Sequence, residues 1–560
     1  MTNAIAATIL LIQTLALAQT TFYVSPAGND DANGSESAPF ATIARAQKAA
    51  RGTNAKVILN SGTYWLDEPL RFGPEDSNVA YEGRGDAIIS GGRPISGWQN
   101  AGGSKWTVTL PNVRDGEWYF RQLFMDGNRL PRGRFPNGDA LLKIDAVSED
   151  LRDITLAEPV PTDLANKNAE LIVYHEWSIS RAPVESSEGP RVRSTVPVGW
   201  VGHALVARPG KVAYLENAPE FVDQPGEWYL DKTTGLLTLM LAEGDDPNSH
   251  ELIAPKLEQL VIIEGRPDAK VTGLRFWRIT FQHTEWPLPP FGYNGIQAGH
   301  YGTSIKEKTY VLPGAIELFY AANCIFELGC RVQHTGASGI VLGAGCSSNV
   351  IEACSLSDIG GNGIMVGWRG KTKLTNALGE IYVAAGDSHL AADWADPADV
   401  PSRNLIACNT IDRAAAVNLG CVGIFDAFAS GTRIGSNHVY DLPYTGVSIG
   451  FRWSTEPTSQ RGAQIHNNHI HDCMKVLSDG GGIYTLGFQP GTIISGNEIH
   501  DIHRSWHALQ APNNGIFFDQ GSSGIHVESN KIYKTAESSI RFNQTSKENM
   551  TWKDNQFEKE

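Results

Sequence analysis

Positive charge is scarce in this chain of 560 residues: 46 Lys and Arg stand against 61 Asp and Glu, a net charge of −15. No basic stripe is available to neutralise a phosphate backbone, which excludes nucleic acid as a partner. An acidic glycan is not forbidden, but it would gain little electrostatic help. Long apolar runs are missing too. Beyond the N-terminus no segment reaches the roughly 18 apolar residues of a spanning helix, so no membrane partner is expected. Cysteine is sparse, at seven residues. None forms a CxxC or another zinc-ligand spacing, so no structural zinc is expected. What is abundant is glycine, 58 residues with only 19% charged side chains, the balance of a turn-rich β protein rather than a disordered chain or a coiled coil.

The N-terminus reads as a signal peptide over residues 1–18. An apolar run from Ala4 ends in Ala16-Leu17-Ala18 before Gln19, an A-x-A-like cleavage site, although no Lys or Arg precedes it. A secreted or periplasmic location follows. Residues 19–96 then give a strand (Phe22-Tyr23-Val24), a helix over Ile43–Ala50 and the first strands of a repeating structure. An open-ended solenoid needs a cap of this kind. Around Trp98 the rhythm changes. Residues 97–255 hold longer strands between Pro/Gly turns, with a hairpin at Trp228-Tyr229-Leu230 and Leu236-Leu237. This is the pattern of an inserted antiparallel, sandwich-like β domain.

From residue 256 to 560 the repeat returns. Gly-Ile or similar pairs place Ile316, Ile340, Ile364, Ile424, Val447, Ile483, Ile516 and Ile540 at steps of 24, 24, 60, 23, 36, 33 and 24 residues. A second row (Cys330, Cys354, Asn409, Asn437, Asn468, Asn497, Asn530, Asn555) is followed two places on by an apolar residue each time. Alternation of period two inside such a repeat predicts an all-β fold, a right-handed parallel β-helix with stacked Ile/Val columns and an Asn ladder. Cys330 and Cys354 in the Asn row read as stacked buried thiols. The 60-residue step carries an insertion with Trp368, Asp393, Trp394 and Asp396, and such loops gather on one face.

Asp479 and Asp519 each adjoin a glycine turn, in Asp479-Gly480-Gly481-Gly482-Ile483-Tyr484 and Gly515-Ile516-Phe517-Phe518-Asp519-Gln520-Gly521. Asp beside Gly describes any turn. Yet the two sit in consecutive coils near what reads as one corner, and glycoside hydrolysis needs two carboxyl groups, one protonated and one ionised. Stacked neighbours would be about 5 Å apart and suit retention; a diagonal offset of roughly 6.5–9.5 Å would suit inversion. Asp426 is a third candidate, as a carboxylate that raises a neighbour's pKa or as a surface turn residue. Trp453, Tyr484, Trp506 and Gln520 could contact sugar beside them, as could His503, Arg504 and His507 in the extra residues before Asp519. His466, His469, His471 and His500 cluster on the same coils. Three imidazoles can hold a metal, but the usual spacings are absent and His438 and Tyr440 fill the same outward positions one coil earlier. A polar sheet face, with no metal or cofactor, is the expectation.

Three stretches (Gln122-Leu123-Phe124-Met125-Asp126-Gly127-Asn128-Arg129, Asp479-Gly480-Gly481-Gly482-Ile483-Tyr484-Thr485-Leu486-Gly487 and Gly515-Ile516-Phe517-Phe518-Asp519-Gln520-Gly521-Ser522-Ser523-Gly524) are similar to glycoside hydrolase family 141. The opening Phe22-Tyr23-Val24-Ser25-Pro26-Ala27-Gly28-Asn29-Asp30 also resembles that of many secreted β-helix carbohydrate enzymes. The resemblance implies fucosidase or xylanase activity on an oligo- or polysaccharide of plant-wall type. It also implies a β-helix with an inserted β domain, and catalytic roles for Asp479 and Asp519. A lyase or uronate epimerase on the same fold would need a basic proton acceptor and cationic partners, for which only Arg504 and Arg541 lie near. A non-catalytic glycan-binding solenoid would leave the glycine-flanked aspartates without a purpose.

Overall fold

The computed structural model describes residues 20–200, 205–303, 309–367, 369–376, 379–384, 394, 396–507 and 511–557, with 369–376 and 379–384 by backbone alone. The expected signal peptide, Trp368 and Asp393 lie outside the described residues.

The chain is a right-handed parallel β-helix, built because each repeat supplies three short strands that pair only with the same strands of adjacent coils. One face is a ten-stranded ladder from Leu70–Phe72 through Gly480–Thr485 and Asn513–Phe518 to Ile540–Phe542. Its registers pair Ile316 with Ile340, Ile364, Ile424, Val447, Ile483, Ile516 and Ile540 in turn, the column expected from the sequence. A second face stacks Val332, Leu356, Ile411, Val439, Ile470, Ile499, Ile532 and Phe557.

The Asn row forms the corner beside it. Each Asn Nδ2 donates to the next Asn Oδ1 at 2.9–3.0 Å, from Asn409 to Asn555. Cys354 continues the row through its backbone N–H, which donates to Asn409 Oδ1 at 3.0 Å. A second ladder, not anticipated, joins Asn349 Nδ2 to Asn404 Oδ1 at 3.0 Å. Buried amides with both ends satisfied cost nothing for being buried and fix the coil register.

At the open end the helix Ile43–Ala50 buries Ile43, Ala46, Gln47 and Ala50. Its N-cap Thr42 accepts from Arg45 N–H, so the cap is specified locally.

The inserted domain is antiparallel. Its entry strand Gly92–Pro94 pairs with its exit strand Leu252–Pro255, which closes the insertion. Its main sheet does not stop at residue 255, however. Strands Tyr293–Gln297, His300–Gly302, Thr309–Val311, Arg369–Asn376 and Gly379–Ala384 leave the coils and join that sheet. The 24-residue phase skips these excursions, so the sequence reading assigned them to the helix. Two buried features fasten the domain down. In the first, Glu170 accepts from Arg121 (2.7 Å), Arg132 (2.9 Å) and Arg181 (2.9 Å), while Arg132 and Arg181 also pair with Glu216. Arg181 reaches the coil at Val417 O, 3.3 Å away, and Arg121 at Trp286 O, 3.2 Å. The second is the motif Gln122–Arg129, whose Arg129 binds Asp358 at 2.8 Å and Thr335 O at 2.9 Å.

Candidate active site

Asp479 and Asp519 lie on the ten-stranded face, but not as stacked neighbours. The registers are Gly480 with Asn513 and Thr485 with Phe518. Asp479 therefore precedes the first residue of its strand, and Asp519 follows the last residue of the next one. The expected shared corner is corrected to opposite ends of one strand pair. Side chains span the gap. Asp479 Oδ1 accepts from Arg541 Nη1 at 2.6 Å, and that guanidinium lies 4.0 Å from the Phe517 ring centre. Phe517 meets Tyr484 edge-on at 5.2 Å, and Tyr484 donates its hydroxyl to Asp519 Oδ2 at 2.5 Å. Tyr484, Leu486 and Phe517 form an apolar cluster separate from the coil interior, with Trp453 packed against it. This is a partly apolar floor with a carboxyl at each end.

The two carboxyls differ in environment. Asp519 is 8% exposed and accepts at both oxygens, from Tyr484 and from Asn543 Nδ2 at 2.7 Å. That double acceptance suits an ionised carboxylate. Asp479 has a left-handed backbone, φ 61°, which an Asp in a turn tolerates. Burial pushes its carboxyl above the ordinary value; Arg541 opposes this, and the negative charges of Asp519 and Glu176 add to it. Glycines allow the close packing around it. A Cβ on Gly480 would sit 2.5 Å from Thr445 Oγ1 and 2.8 Å from the Tyr444 ring. Tyr444 in turn donates its hydroxyl to Asp479 O at 3.1 Å.

Asp426 requires a correction. It pairs in register with Val366 and Ile449, sharing the inward parity of Ile424, and it is fully buried. Gln460 Nε2 donates to its Oδ2 at 2.9 Å. Burial raises its carboxyl to about 6. Its place inside the coil keeps it out of contact with a glycan, so it is neither a turn residue nor a groove carboxylate.

The remaining candidates divide. Tyr484 and Trp453 belong to the floor, and Gln520 follows Asp519 with its carbonyl accepting from Gly487 N–H at 3.1 Å. Arg504 is held by Glu537 and by Ala511 O, both at 2.6 Å. His507 packs on Tyr174 of the inserted domain, with ring centres 5.1 Å apart. Trp506 is 69% exposed. His503 turns away to Asp472, 2.8 Å distant.

Residues 103–240 match the model of the GH141 insertion domain, and residues 407–560 match that of the right-handed beta helix region. Residues 26–72 match a family of unknown function, DUF1565. A solved structure described as a glycoside hydrolase is similar at TM-score 0.83 and 25% identity, over 96% of this chain and 96% of that one. The chain is a GH141-like β-helix enzyme. The structure of XylC with xylose shares the fold at TM-score 0.52 and 15% identity, covering 92% of this chain and 70% of its own. No curated protein sequence matches the chain. The insertion-domain match and the full-length likeness make this GH141-like enzyme a glycan-degrading hydrolase.

The sequence reading missed Asn543 and Tyr444, and gave Arg541 weight only as a base for the rival lyase. The ladder phase contained the signal. Arg541 follows Ile540 as Phe517 follows Ile516, and Asn543 stands to Ile540 as Asp519 stands to Ile516. Glu176 had no such signal, because it comes from the inserted domain. Its carbonyl accepts from Ser478 N–H at 2.7 Å, beside Asp479. Lys211 and Arg208 hold its carboxylate at 3.2 and 2.7 Å.

Proposed function

We propose that this GH141-like enzyme is an exported glycosidase that cleaves fucosyl or xylosyl linkages of plant-wall-type glycans. In this reading Asp479 is the general acid and Asp519 the ionised partner. The observation that carries it is the contrast between the two carboxyls across one floor. Asp479 is pushed upward by burial and by Asp519, as a proton donor requires. Asp519 accepts two hydrogen bonds, as a base or nucleophile requires. Trp453, partly buried against the Tyr484–Leu486–Phe517 cluster, offers an aromatic face for sugar C–H surfaces. The likeness to XylC is one of fold, so the choice of fucosyl and xylosyl linkages rests on the family resemblance of the three motifs. The apolar run over residues 4–18 supports export.

A lyase reading is disfavoured by its own candidates: Arg541 is paired with Asp479 and Arg504 with Glu537. The test is incubation of the purified protein with plant and algal glycans and with aryl fucosides and xylosides. Saturated products that have gained one water are expected. Unsaturated ends would replace this reading with an eliminase.

A further inference from the structure

On the second face, the outward residues of three consecutive coils build a histidine cluster separate from the carboxyl pair. His469 and His471 are two residues apart on one strand and so share a face. The registers set His438 beside His469 and His500 beside His471. His438 Nε2 lies 2.7 Å from His471 Nε2, and His469 Nε2 lies 2.7 Å from His500 Nε2. Ligand atoms of His438, His469 and His471 all fall within 4.8 Å of one another. Each 2.7 Å contact is a hydrogen bond in which one imidazole N–H donates to the other's lone pair, and together the pairs bring four ring nitrogens to one place on the face.

The second ring nitrogens supply the decisive detail. His471 Nδ1 faces Asp472 Oδ2 at 2.7 Å, and His500 Nδ1 faces Asp501 Oδ2 at 2.6 Å. An imidazole that donates Nδ1–H to a carboxylate presents a bare lone pair at Nε2, with its basicity increased. This is the outer-shell arrangement of metal-ligating histidines. Asp472 is itself oriented by His503 at 2.8 Å. Ring stacking fixes the orientations: His471 and His500 are parallel within 1°, flanked by Tyr440 and Tyr533. A tetrahedral ion with bonds of about 2.0–2.1 Å sets its nitrogens roughly 3.4 Å apart. That spacing lies between the 2.7 Å contacts and the 4.8 Å limit.

We propose that this face binds one divalent transition cation of the zinc, nickel or copper class, with His438, His469 and His471 as ligands and His500 or water completing the shell. The ligands come from two coils, with the supporting Asp472 on the coil of His469 and His471 and His500 on a third, so the ion ties neighbouring coils together. Its role is structural and independent of hydrolysis.

The test uses the tag-free full-length protein, stripped with chelator and titrated with Zn²⁺ alone by calorimetry, then melted with and without Zn²⁺. Saturation at one equivalent and a raised melting temperature are expected. Both should be lost in His438→Ala and in His471→Ala and kept in His526→Ala, which lies on another ladder. Asp472→Asn leaves every ligand in place and should weaken binding roughly 10–100-fold, so the idea remains testable if an alanine variant folds poorly. No saturable binding by the unmodified chain, or binding unchanged in both alanine variants, would overturn the assignment.

Discussion

Replacing Glu170 with Gln should loosen the inserted domain more than any surface change. Glu170 and Glu216 are the two carboxylates among three guanidiniums, Arg121, Arg132 and Arg181. The cluster thus carries one net positive charge, and the variant would carry two at the same burial. The side chains of Arg121 and Arg181 are only 4% and 3% exposed, so water cannot compensate. Removing one partner of a buried charge cluster costs about 3–5 kcal/mol, because the remaining charges stay desolvated. The exposed pair Lys167–Glu220 makes the control, with an expected loss for Glu220→Gln under about 1 kcal/mol.

Urea unfolding followed by tryptophan fluorescence reads the difference, with the first transition moving if the two units melt separately. Equal midpoints for Glu170→Gln and Glu220→Gln would refute the reasoning. The pH dependence has a defined sign. Burial alone would raise the Glu170 carboxyl, but the three guanidiniums hold it well below its usual range. Its contribution is therefore intact above the unfolded value of about 4.3 and is lost as pH falls through the depressed folded value.

Three further outcomes are expected. Asp479→Asn and Asp519→Asn should each lower kcat on aryl glycosides by about 10²–10⁴-fold with an unchanged circular dichroism spectrum; near-native turnover in either would remove that residue from the mechanism. If Asp479 works protonated, activity falls as pH rises through its raised pKa. Arg541→Leu removes the opposing cation, so the alkaline limb of kcat/KM should move to higher pH, and a shift to lower pH would assign the limb to another group. Asn468→Ala breaks the ladder at a buried amide that bonds Ile434 O, Asn497 and Asn437. It should cost about 1–3 kcal/mol for each backbone or amide group left unsatisfied, read as a lower melting temperature; no change would mean that the ladder is not a stabilising device.

The coils were legible because their signal is local and periodic. The Ile column and the Asn row could be aligned by counting, and every pairing of the Ile column follows that count. Counting failed where the chain leaves the period. The strands Tyr293–Gln297 and Arg369–Asn376 pair with a partner sheet that no spacing announces. In the site, phase placed Asp479 and Asp519 on adjacent coils but did not show that they end opposite sides of the strand pair. Asp426 shows how parity decides between roles: two positions after Ile424, it must point inward with it. Glu176 was out of reach, since only the docking of the inserted domain brings it to Ser478.

The measurement that bears most directly on the central claim is digestion of a cleaved oligosaccharide in water labelled with heavy oxygen, with products read by mass and anomeric proton resonance. One labelled oxygen at the newly formed reducing end is predicted, with product formation slowed by about 10²–10⁴-fold in Asp519→Asn. An unsaturated, unlabelled end, or labelled product formed at an undiminished rate by Asp519→Asn, would contradict it.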